Sequence, residues 1–430
     1  MKTYFSKILL TFLFLQGFLM AATIKHINIK GVNIPVVFEE NKNLPILNLQ
    51  LVFKNSGYIQ DNISGLASTS AKLLNEGTKK LGSTKFAEKL ENSAISLNAS
   101  TGFETFVIEL SSIKDVHEKA IKLLKNLLED PNYDEKVLEK IKTITSGSLK
   151  RKENDYDYLA SKNLKEIIFK DTPLANPSSG TIDSISKIKL NDIKNFLDKS
   201  LDLNNLIIVV GGDFNFDEIE GKIKELVKAL NNKNKNKLTK IKVNETTQTN
   251  TVKKETQQAY IYFGSPFYVD VKDENSYMAK VASFILGGSG FGSRLMEEIR
   301  VKRGLAYSAY GYVSQNKSHS YFTGYLQTKN ESANEAVKLV KELVKDFVKS
   351  GVTKEELESA KKFLLGSEPL RTETLSSRLN RAFTNYYRGL EQDHSQKELE
   401  KIESLKLEDL NQYIKSHKEI NKLSFSIIRK

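Results

Sequence analysis

Cysteine is absent from the chain. Without a thiol there is no disulfide framework, no thiolate metal site and no lipid-modified cysteine anchor. The absence of cysteine is compatible with an oxidising compartment but does not by itself indicate one.

Histidine is scarce and scattered. The five histidines are His26, His117, His319, His394 and His417, and no two of them are close in sequence. A zinc site needs about three protein ligands, and two of them usually lie close together on one helix. The sequence contains no H-x-x-E-H, H-E-x-x-H or H-x-x-x-H pattern, so each histidine is expected to be a surface or half-buried imidazole.

Long apolar runs are missing except near the N-terminus. Residues 8–20 are largely apolar, follow Lys2 and Lys7, and precede Ala21 and Ala22, which is the three-part layout of a secretory signal peptide. The run has about 13 residues, fewer than the roughly 20 that span a bilayer as a helix. We therefore expect a cleaved signal peptide over 1–22, export to the periplasm and no stable membrane anchor. An uncleaved anchor is the alternative.

Positive charge is in excess but is not clustered. There are 65 Lys and Arg residues against 53 Asp and Glu residues, a net charge of +12, and Lys and Glu are interspersed along helical stretches. This pattern indicates solvated helix faces, so no nucleic-acid partner is expected.

The second half of the sequence repeats the first at an offset of about 217 residues. The stretch AIKLLK at 120–125 matches AVKLVK at 336–341, and residues 190–196 match residues 407–413. Each half has strand-like segments, amphipathic helices and a closing strand, which predicts two homologous domains of the α+β class. Residues 231–256 are rich in Lys, Asn and Thr and are expected to form an exposed linker between domains over 23–230 and 257–430.

The segment GLASTSAKLLNEGT at 65–78 resembles the metal-site helix of the pitrilysin (insulinase) zinc peptidases. Ser68, Ala71 and Lys72 stand where that family has His, Glu and His. In those peptidases the imidazoles hold zinc, the metal acidifies a water and the glutamate takes its proton. A serine, a methyl group and an ammonium can do neither, so the resemblance implies no metal and no cofactor in this chain.

The third ligand of that family is a glutamate about 75 residues beyond the motif. Counting from Lys72 leads to Ser148, with Glu139 and Glu153 as nearby alternatives. Ser68, Ala71, Lys72 and Ser148 are therefore interpreted as degenerate metal positions.

The segment SLNAST at 96–101 resembles the strand entrance that lies beside the substrate main chain in active relatives. The resemblance implies a substrate-binding role for Asn98 and Ala99. A turn formed by Asn98 and Ser100 is the structural alternative.

The most recognisable segment is LGGSGFGSRLMEEIRVKRGLAYS at 286–308. It resembles the C-terminal signature of the short, two-domain pitrilysin-like peptidases, in which an arginine and a tyrosine seven residues later approach the zinc site of a partner. Arg300 and Tyr307 have that spacing. A guanidinium can donate to a substrate carbonyl and a phenol to an oxyanion, so the resemblance implies catalytic roles for both residues.

The glycines of this segment have two interpretations. The non-catalytic subunit of mitochondrial processing peptidase, a relative, uses a glycine-rich loop at this place to engage substrate, which implies a mobile substrate-binding flap formed by Gly287, Gly288 and Gly290. A plain tight turn is the alternative. A phosphate site is not expected, because the glycines follow a helical run and no Gly-Lys-Ser or Gly-Lys-Thr comes after them.

The resemblance covers nearly the whole chain after the signal peptide. It implies two domains, each a mostly antiparallel sheet packed with helices on one side, and a non-catalytic subunit of an exported heterodimeric zinc endopeptidase. A homologous partner would carry H-x-x-E-H and the zinc, and unfolded peptides would be the substrates. A chaperone-like or scaffold protein without a role in hydrolysis is one alternative, and an active zinc protease with an atypical site is another.

Overall fold

A computed structural model describes residues 22–430. The predicted signal peptide over 1–22 lies, apart from Ala22, outside the described residues. Within this range, no helix is both long and apolar enough to cross a membrane.

The first half of the chain builds one sheet and its covering helices. Its strands are β1 Thr23–Ile29, β2 Val32–Glu40, β3 Ile46–Lys54, β4 Ser96–Thr101, β5 Thr105–Ile113 and β6 Leu206–Gly212. Its helices are α1 Leu66–Leu74, α2 Gly82–Glu91, α3 His117–Glu129, α4 Glu135–Lys152, α5 Tyr156–Ile168, α6 Ile182–Lys187, α7 Leu190–Ser200 and α8 Phe216–Val227. The strand order is β1-β2-β6-β3-β5-β4, with β2–β6 as the parallel pair among antiparallel neighbours.

The second half builds a second sheet in the same way. Its strands are β7 Thr249–Lys253, β8 Gln258–Pro266, β9 Ala306–Gln315, β10 Ser320–Lys329 and β11 Ser424–Arg429. Its helices are α9 Ser276–Ser283, α10 Arg294–Met296, α11 Ala333–Ser350, α12 Lys354–Gly366, α13 Leu375–Arg388, α14 His394–Ser404 and α15 Leu407–Ser416. Helices α9 and α10 continue as π-helical turns over Phe284–Gly288 and Glu297–Val301.

The two sheets have the same topology, which confirms the predicted duplication and fold class. The second order, β7-β11-β8-β10-β9, equals the first without β1, and its parallel pair, β7–β11, corresponds to β2–β6. The matched sequence stretches also lie on corresponding helices, α3 with α11 and α7 with α15. Strands β4 and β9 are therefore equivalent edge strands.

Amphipathic helices cover one face of each sheet, as the sequence pattern predicted. In α3 the buried side chains Ala120, Ile121, Leu124 and Leu127 recur at helical spacing and join the core of the first sheet. Helix α11 does the same for the second sheet.

The opposite face of each sheet is covered by a helix from the other half of the chain, which the sequence did not predict. Helix α13 packs on β2 and β6 of the first sheet, where Leu375 and Leu379 meet Val37 and Val209. Helix α5 packs on β8 and β11 of the second sheet. Because both faces are covered, β6 is buried along its whole length and is apolar throughout instead of alternating. The halves thus exchange helices, while each sheet keeps its own buried core.

The exposed linker predicted over 231–256 is only partly exposed. Asn236 is buried and its amide donates to Ser56, while Ile241 and Val243 join an apolar cluster with Leu164. The segment ends in β7, an edge strand of the second sheet. The segment has a polar composition because alternate side chains of an edge strand face solvent. The composition therefore suggested an exposed linker although part of the segment is packed.

A polar contact between the halves surrounds His319. Glu104, in the turn between β4 and β5, accepts from the Ser318 backbone N–H at 2.6 Å and from the Tyr387 hydroxyl at 2.7 Å. His319 Nδ1 lies 2.8 Å from Ser318 Oγ, and the Asn316 amide reaches Nε2 at 3.1 Å. Because the amide nitrogen can only donate, Nε2 is the acceptor and the imidazole is neutral.

We predict that protonation of His319 weakens the native state in acid. Burial lowers the pKa of His319 to about 4, while the charge of Glu104 opposes the shift and that of Lys165 adds to it. Between pH 6.5 and 4 the unfolded chain therefore binds the extra proton, and stability falls as the pH falls. The expected contribution is about 3 kcal/mol over this window. Urea unfolding of the natural chain and of a His319→Phe variant at several pH values measures it; superimposable pH profiles would contradict the assignment.

Candidate functional site

A half-buried carboxylate precedes helix α1. Asp61 accepts the backbone N–H of Gly65 at 3.0 Å and of Ala67 at 2.8 Å, which satisfies two of the unpaired donors of the helix N-terminus. Burial nevertheless raises the pKa of Asp61 to about 7. Gly65 has φ of +90°, a left-handed conformation that favours glycine at this turn.

The three degenerate positions lie on one face of α1. Ser68, Ala71 and Lys72 have the spacing that brings side chains together on a helix, and Ala71 is buried. Lys72 Nζ points towards α4 and donates to the Thr145 hydroxyl at 2.9 Å. Burial lowers the pKa of Lys72, and the charge of Lys152 lowers it further. An ammonium therefore lies between the two helices that would have to share a metal.

Ser148 lies one helical turn after Thr145 on α4. The residue that contacts Lys72 is Thr145, and of the two alternatives Glu139 is engaged with Lys142 while Glu153 follows the end of α4. The donor set of Ser68, Ala71, Lys72 and the α4 hydroxyls does not fit zinc, which prefers imidazole, carboxylate or thiolate ligands. Across residues 22–430, no group of three or more metal-ligating side chains could hold a metal ion.

The edge strand β4 is held by an amide from the end of α1. Asn75 Oδ1 accepts the Ala99 N–H at 2.6 Å, and Asn75 Nδ2 donates to the Ala99 carbonyl at 2.9 Å and to Asn98 Oδ1 at 3.2 Å. The outward main-chain groups of Ala99 are therefore paired within the chain. A peptide that added to β4 would have to displace Asn75 at this position, so Asn75 is a residue of this site that the sequence did not indicate.

The glycine-rich segment is shaped by close packing. A Cβ on Gly287 would lie 2.5 Å from the Gly311 nitrogen of β9, and one on Gly288 would lie 3.1 Å from the Ser283 carbonyl oxygen. Gly290 has a φ of +66°. These contacts explain the glycines as a turn between α9 and α10, and the mobile flap stays a prediction.

Arg300 and Tyr307 lie side by side. The guanidinium carbon of Arg300 is 4.6 Å from the centre of the Tyr307 ring. Arg300 belongs to the π-helical turn after α10, and Tyr307 is the second residue of the edge strand β9. The Tyr307 side chain is 79% exposed, so its hydroxyl is free to meet another molecule.

Phe291 completes this cluster from the glycine-rich turn. Its ring centre is also 4.6 Å from the Arg300 guanidinium carbon, so the cation is held between two aromatic rings. The nearby carboxylate of Glu298 binds Lys302 and Arg303 and leaves Arg300 to the rings. Phe291 is 69% exposed, and the sequence signal that could have indicated it is an aromatic residue between Gly290 and Gly292.

We predict that Phe291 holds the Arg300 side chain in place. A cation over an exposed aromatic face gains about 0.5–1 kcal/mol per ring, so Phe291→Leu should release the guanidinium from one side while Phe291→Tyr should keep it. NMR of arginine-labelled protein measures this, because ring currents shift the Arg300 side-chain signals. Equal Arg300 shifts in the Leu and Tyr variants would disprove the contact.

The structure keeps the two sites in different halves of the chain. Helix α1 contacts β4, α4 and α7 of the first half, whereas the turn that carries Arg300 contacts β9 of the second half. The degenerate metal positions and the Arg300–Tyr307 pair therefore do not form one site through these contacts.

Comparison with known proteins agrees with this division. The family description "Insulinase (Peptidase family M16)" matches residues 36–182, and "Peptidase M16 inactive domain" matches residues 187–364. The chain is 44% identical over 414 residues to the non-peptidase homolog YmxG of Helicobacter pylori, which covers 95% of each chain.

Two solved structures share the fold. A peptidase M16 inactive domain from Pseudomonas fluorescens aligns with a TM-score of 0.87 and 24% identity, over 95% of this chain and 98% of that one. The periplasmic protease PqqL of Escherichia coli aligns with a TM-score of 0.75 and 15% identity, over 95% of this chain but 48% of PqqL. Two-domain topology, family matches and a relative of nearly full length lead to one conclusion: the chain belongs to the M16 insulinase family of peptidases and is a homologue of a member that is named a non-peptidase.

Proposed function

We propose that this chain is the non-catalytic subunit of an exported, heterodimeric M16 zinc endopeptidase. One observation carries the proposal: Arg300 and the exposed Tyr307 are brought together, while the helix that should hold the metal presents Ser68, Ala71 and Lys72. Within residues 22–430 there is no metal-ligating group with which the half-buried Arg300 cation and the exposed Tyr307 phenol could act.

The two side chains have complementary capacities. The Arg300 guanidinium can donate to a carbonyl of the bound peptide, and the Tyr307 hydroxyl can donate to the oxygen that becomes negative when the peptide carbon is attacked. Zinc held by the partner would supply the activated water. Phe291 limits where the guanidinium can lie, so the donors are oriented before the peptide binds.

The partner in this proposal is a homologous chain that carries H-x-x-E-H and the downstream glutamate. The similarity to PqqL supports a second M16 unit, since this chain aligns with about half of that protein. Unfolded peptides are the proposed substrates. Export is proposed from the N-terminal pattern of Lys2, the apolar run and Ala21–Ala22, and the periplasm is the compartment that we propose with it.

The proposal is tested by reconstitution with an M16 chain that retains H-x-x-E-H and is encoded in the same organism. Neither chain alone should cleave an unfolded reporter peptide at an appreciable rate, and the equimolar mixture should. Full activity of the partner alone, unchanged by this chain, would contradict the proposal.

A scaffold or peptide-holding role is the second candidate. It is favoured by the exposed large apolar side chains, most of which lie in the second half: Tyr268, Phe291, Val301, Tyr307, Tyr312, Phe363 and Leu370. Such a surface suits association with another protein. In that case the natural chain and the Tyr307→Phe variant would bind the partner equally well, and turnover would not depend on this residue.

A further inference from the structure

A cavity of about 690 Å³ lies in the second half of the chain, between α9 with its π-helical turn, β9, α13 and α14. We call it the cationic cavity, because four of its lining residues carry positive charge: Lys280, Arg371, Arg381 and Arg388. Glu398 is its single lining carboxylate. The cavity is of the size that small ligands and peptide side chains occupy.

The cavity results from the two faces of α13. Leu375, Leu379 and Ala382 form the apolar face that packs on the first sheet. On the opposite face, Arg381 and Arg388 recur at helical spacing and line the cavity with Ser377 and Thr384. The helix that ties the halves together therefore also directs cations into this space.

Two of the four cations are neutralised by carboxylates and two are not. Lys280 pairs with Glu398 at 2.5 Å, and Arg381 pairs with Glu368. Within residues 22–430, Arg371 and Arg388 have no carboxylate within ion-pair distance; Arg388 donates to the Gln315 carbonyl at 2.9 Å, which uses one of its five N–H groups.

The setting of Arg388 makes an anion favourable. Burial lowers the pKa of Arg388, although the charges of Glu104 and Glu398 oppose the shift. A half-buried cation without a carboxylate partner has lost part of its hydration. An incoming anion compensates for this loss by forming an ion pair with it. The remaining donors of the guanidinium can bind a carboxylate in a two-pronged geometry.

Part of the remaining wall is apolar and part is neutral and polar. Phe284, Tyr312, Leu364 and Leu390 line the same cavity, and exposed Leu370 precedes Arg371. An inorganic anion would leave these side chains unused. A peptide that carries carboxylates beside aliphatic side chains would fill both kinds of wall.

From this arrangement we infer that the cationic cavity is a subsite for acidic segments of a peptide, with Arg371 and Arg388 binding side-chain carboxylates. The inference rests on the proposed peptide-binding function. It makes that function more specific, because the subsite would select peptides by their charge. Neither Arg300 nor Tyr307 lines the subsite, which meets β9 at Tyr312 to Gln315, whereas Tyr307 lies at the start of that strand and Arg300 in the turn after α10.

The test compares two dye-labelled hexapeptides that differ only in Glu against Gln at three positions around a central Leu. Fluorescence anisotropy with the full chain should give at least roughly tenfold tighter binding of the acidic peptide at low salt, a preference that falls as salt screens the charges. Arg371→Gln, at an exposed position, should lower the preference to about threefold, and the double variant with Arg388→Gln should abolish it.

Arg429→Gln is the matched control, since Arg429 lies on β11, three strands away from β9 in the same sheet. It should leave the preference unchanged. Equal affinity for both peptides, an equal loss in the Arg429 variant, or displacement of the acidic peptide by inorganic phosphate at equal concentration would overturn the inference. Reconstituted cleavage of a neutral reporter peptide separates the two proposals: it fails if the proposed function is wrong, and it persists if only the acidic subsite is wrong.

Discussion

A Tyr307→Phe chain, mixed with its zinc-carrying partner, is expected to lower kcat by about a hundredfold. Removal of one preorganised donor to an oxyanion costs roughly 10²–10³ in kcat in enzymes that stabilise such an intermediate. The substitution removes the hydroxyl and keeps the ring, so the contact with the Arg300 guanidinium at 4.6 Å is preserved. Complex formation and zinc content should not change.

Matched substitutions separate this effect from a general disturbance of β9. Tyr310→Phe removes a hydroxyl from another tyrosine of the same strand that does not line the cationic cavity, and it should leave kcat within about twofold of normal. Arg300→Ala should reduce turnover strongly, whereas Arg303→Ala, which removes a cation paired with Glu298, should not. Equal rates for the natural chain and Tyr307→Phe would exclude an oxyanion role for this hydroxyl.

Arg378→Met is expected to destabilise the chain by about 3–5 kcal/mol, the cost of leaving a buried carboxylate without its cation. Glu39 is 2% exposed, and Arg378 donates to its Oε1 atom from Nε at 2.8 Å and from Nη2 at 2.6 Å. Glu39 Oε2 has no hydrogen-bond partner in the structure, so Arg378 is its principal compensation. The pair joins β2 of the first half to α13 of the second.

Urea unfolding measures this effect. The control is Arg381→Met on the same helix, whose ion pair with Glu368 is more exposed and should contribute no more than about 1 kcal/mol. Adding Glu39→Met to Arg378→Met should recover most of the lost stability, because the buried charge is then gone. A small effect of Arg378→Met alone would show that α13 is held by its apolar face without this ion pair.

The repeated architecture could be predicted from the sequence because it depends on local pattern. The amphipathic helices and the closing strand of each half follow from the spacing of apolar residues, and the structure confirms them in α3, α11, β6 and β11. Arg300 and Tyr307 were singled out by the resemblance of residues 286–308 to the family signature, and in the structure a short turn brings them together. These features involve residues close in sequence.

The helices that cross between the halves and the hydrogen bonds from Asn75 to β4 depend on contacts between residues distant in sequence. An amphipathic helix does not indicate which sheet its apolar face will meet, so α5 and α13 gave no sign that they would cross between the halves. Asn75 contacts Ala99 across 24 positions, and a single asparagine at a helix end usually indicates only a cap. Thr145, the partner of Lys72, was missed for the same reason.

Elemental analysis of the purified chain and of its complex with the H-x-x-E-H partner measures which of the two chains binds the catalytic zinc. We expect far less than one zinc per isolated chain and about one zinc per heterodimer, because Ser68, Ala71 and Lys72 supply no ligand. About one tightly held zinc in the isolated chain, lost on substitution at Ser68 or Ser148, would contradict the proposal that the metal belongs to the partner.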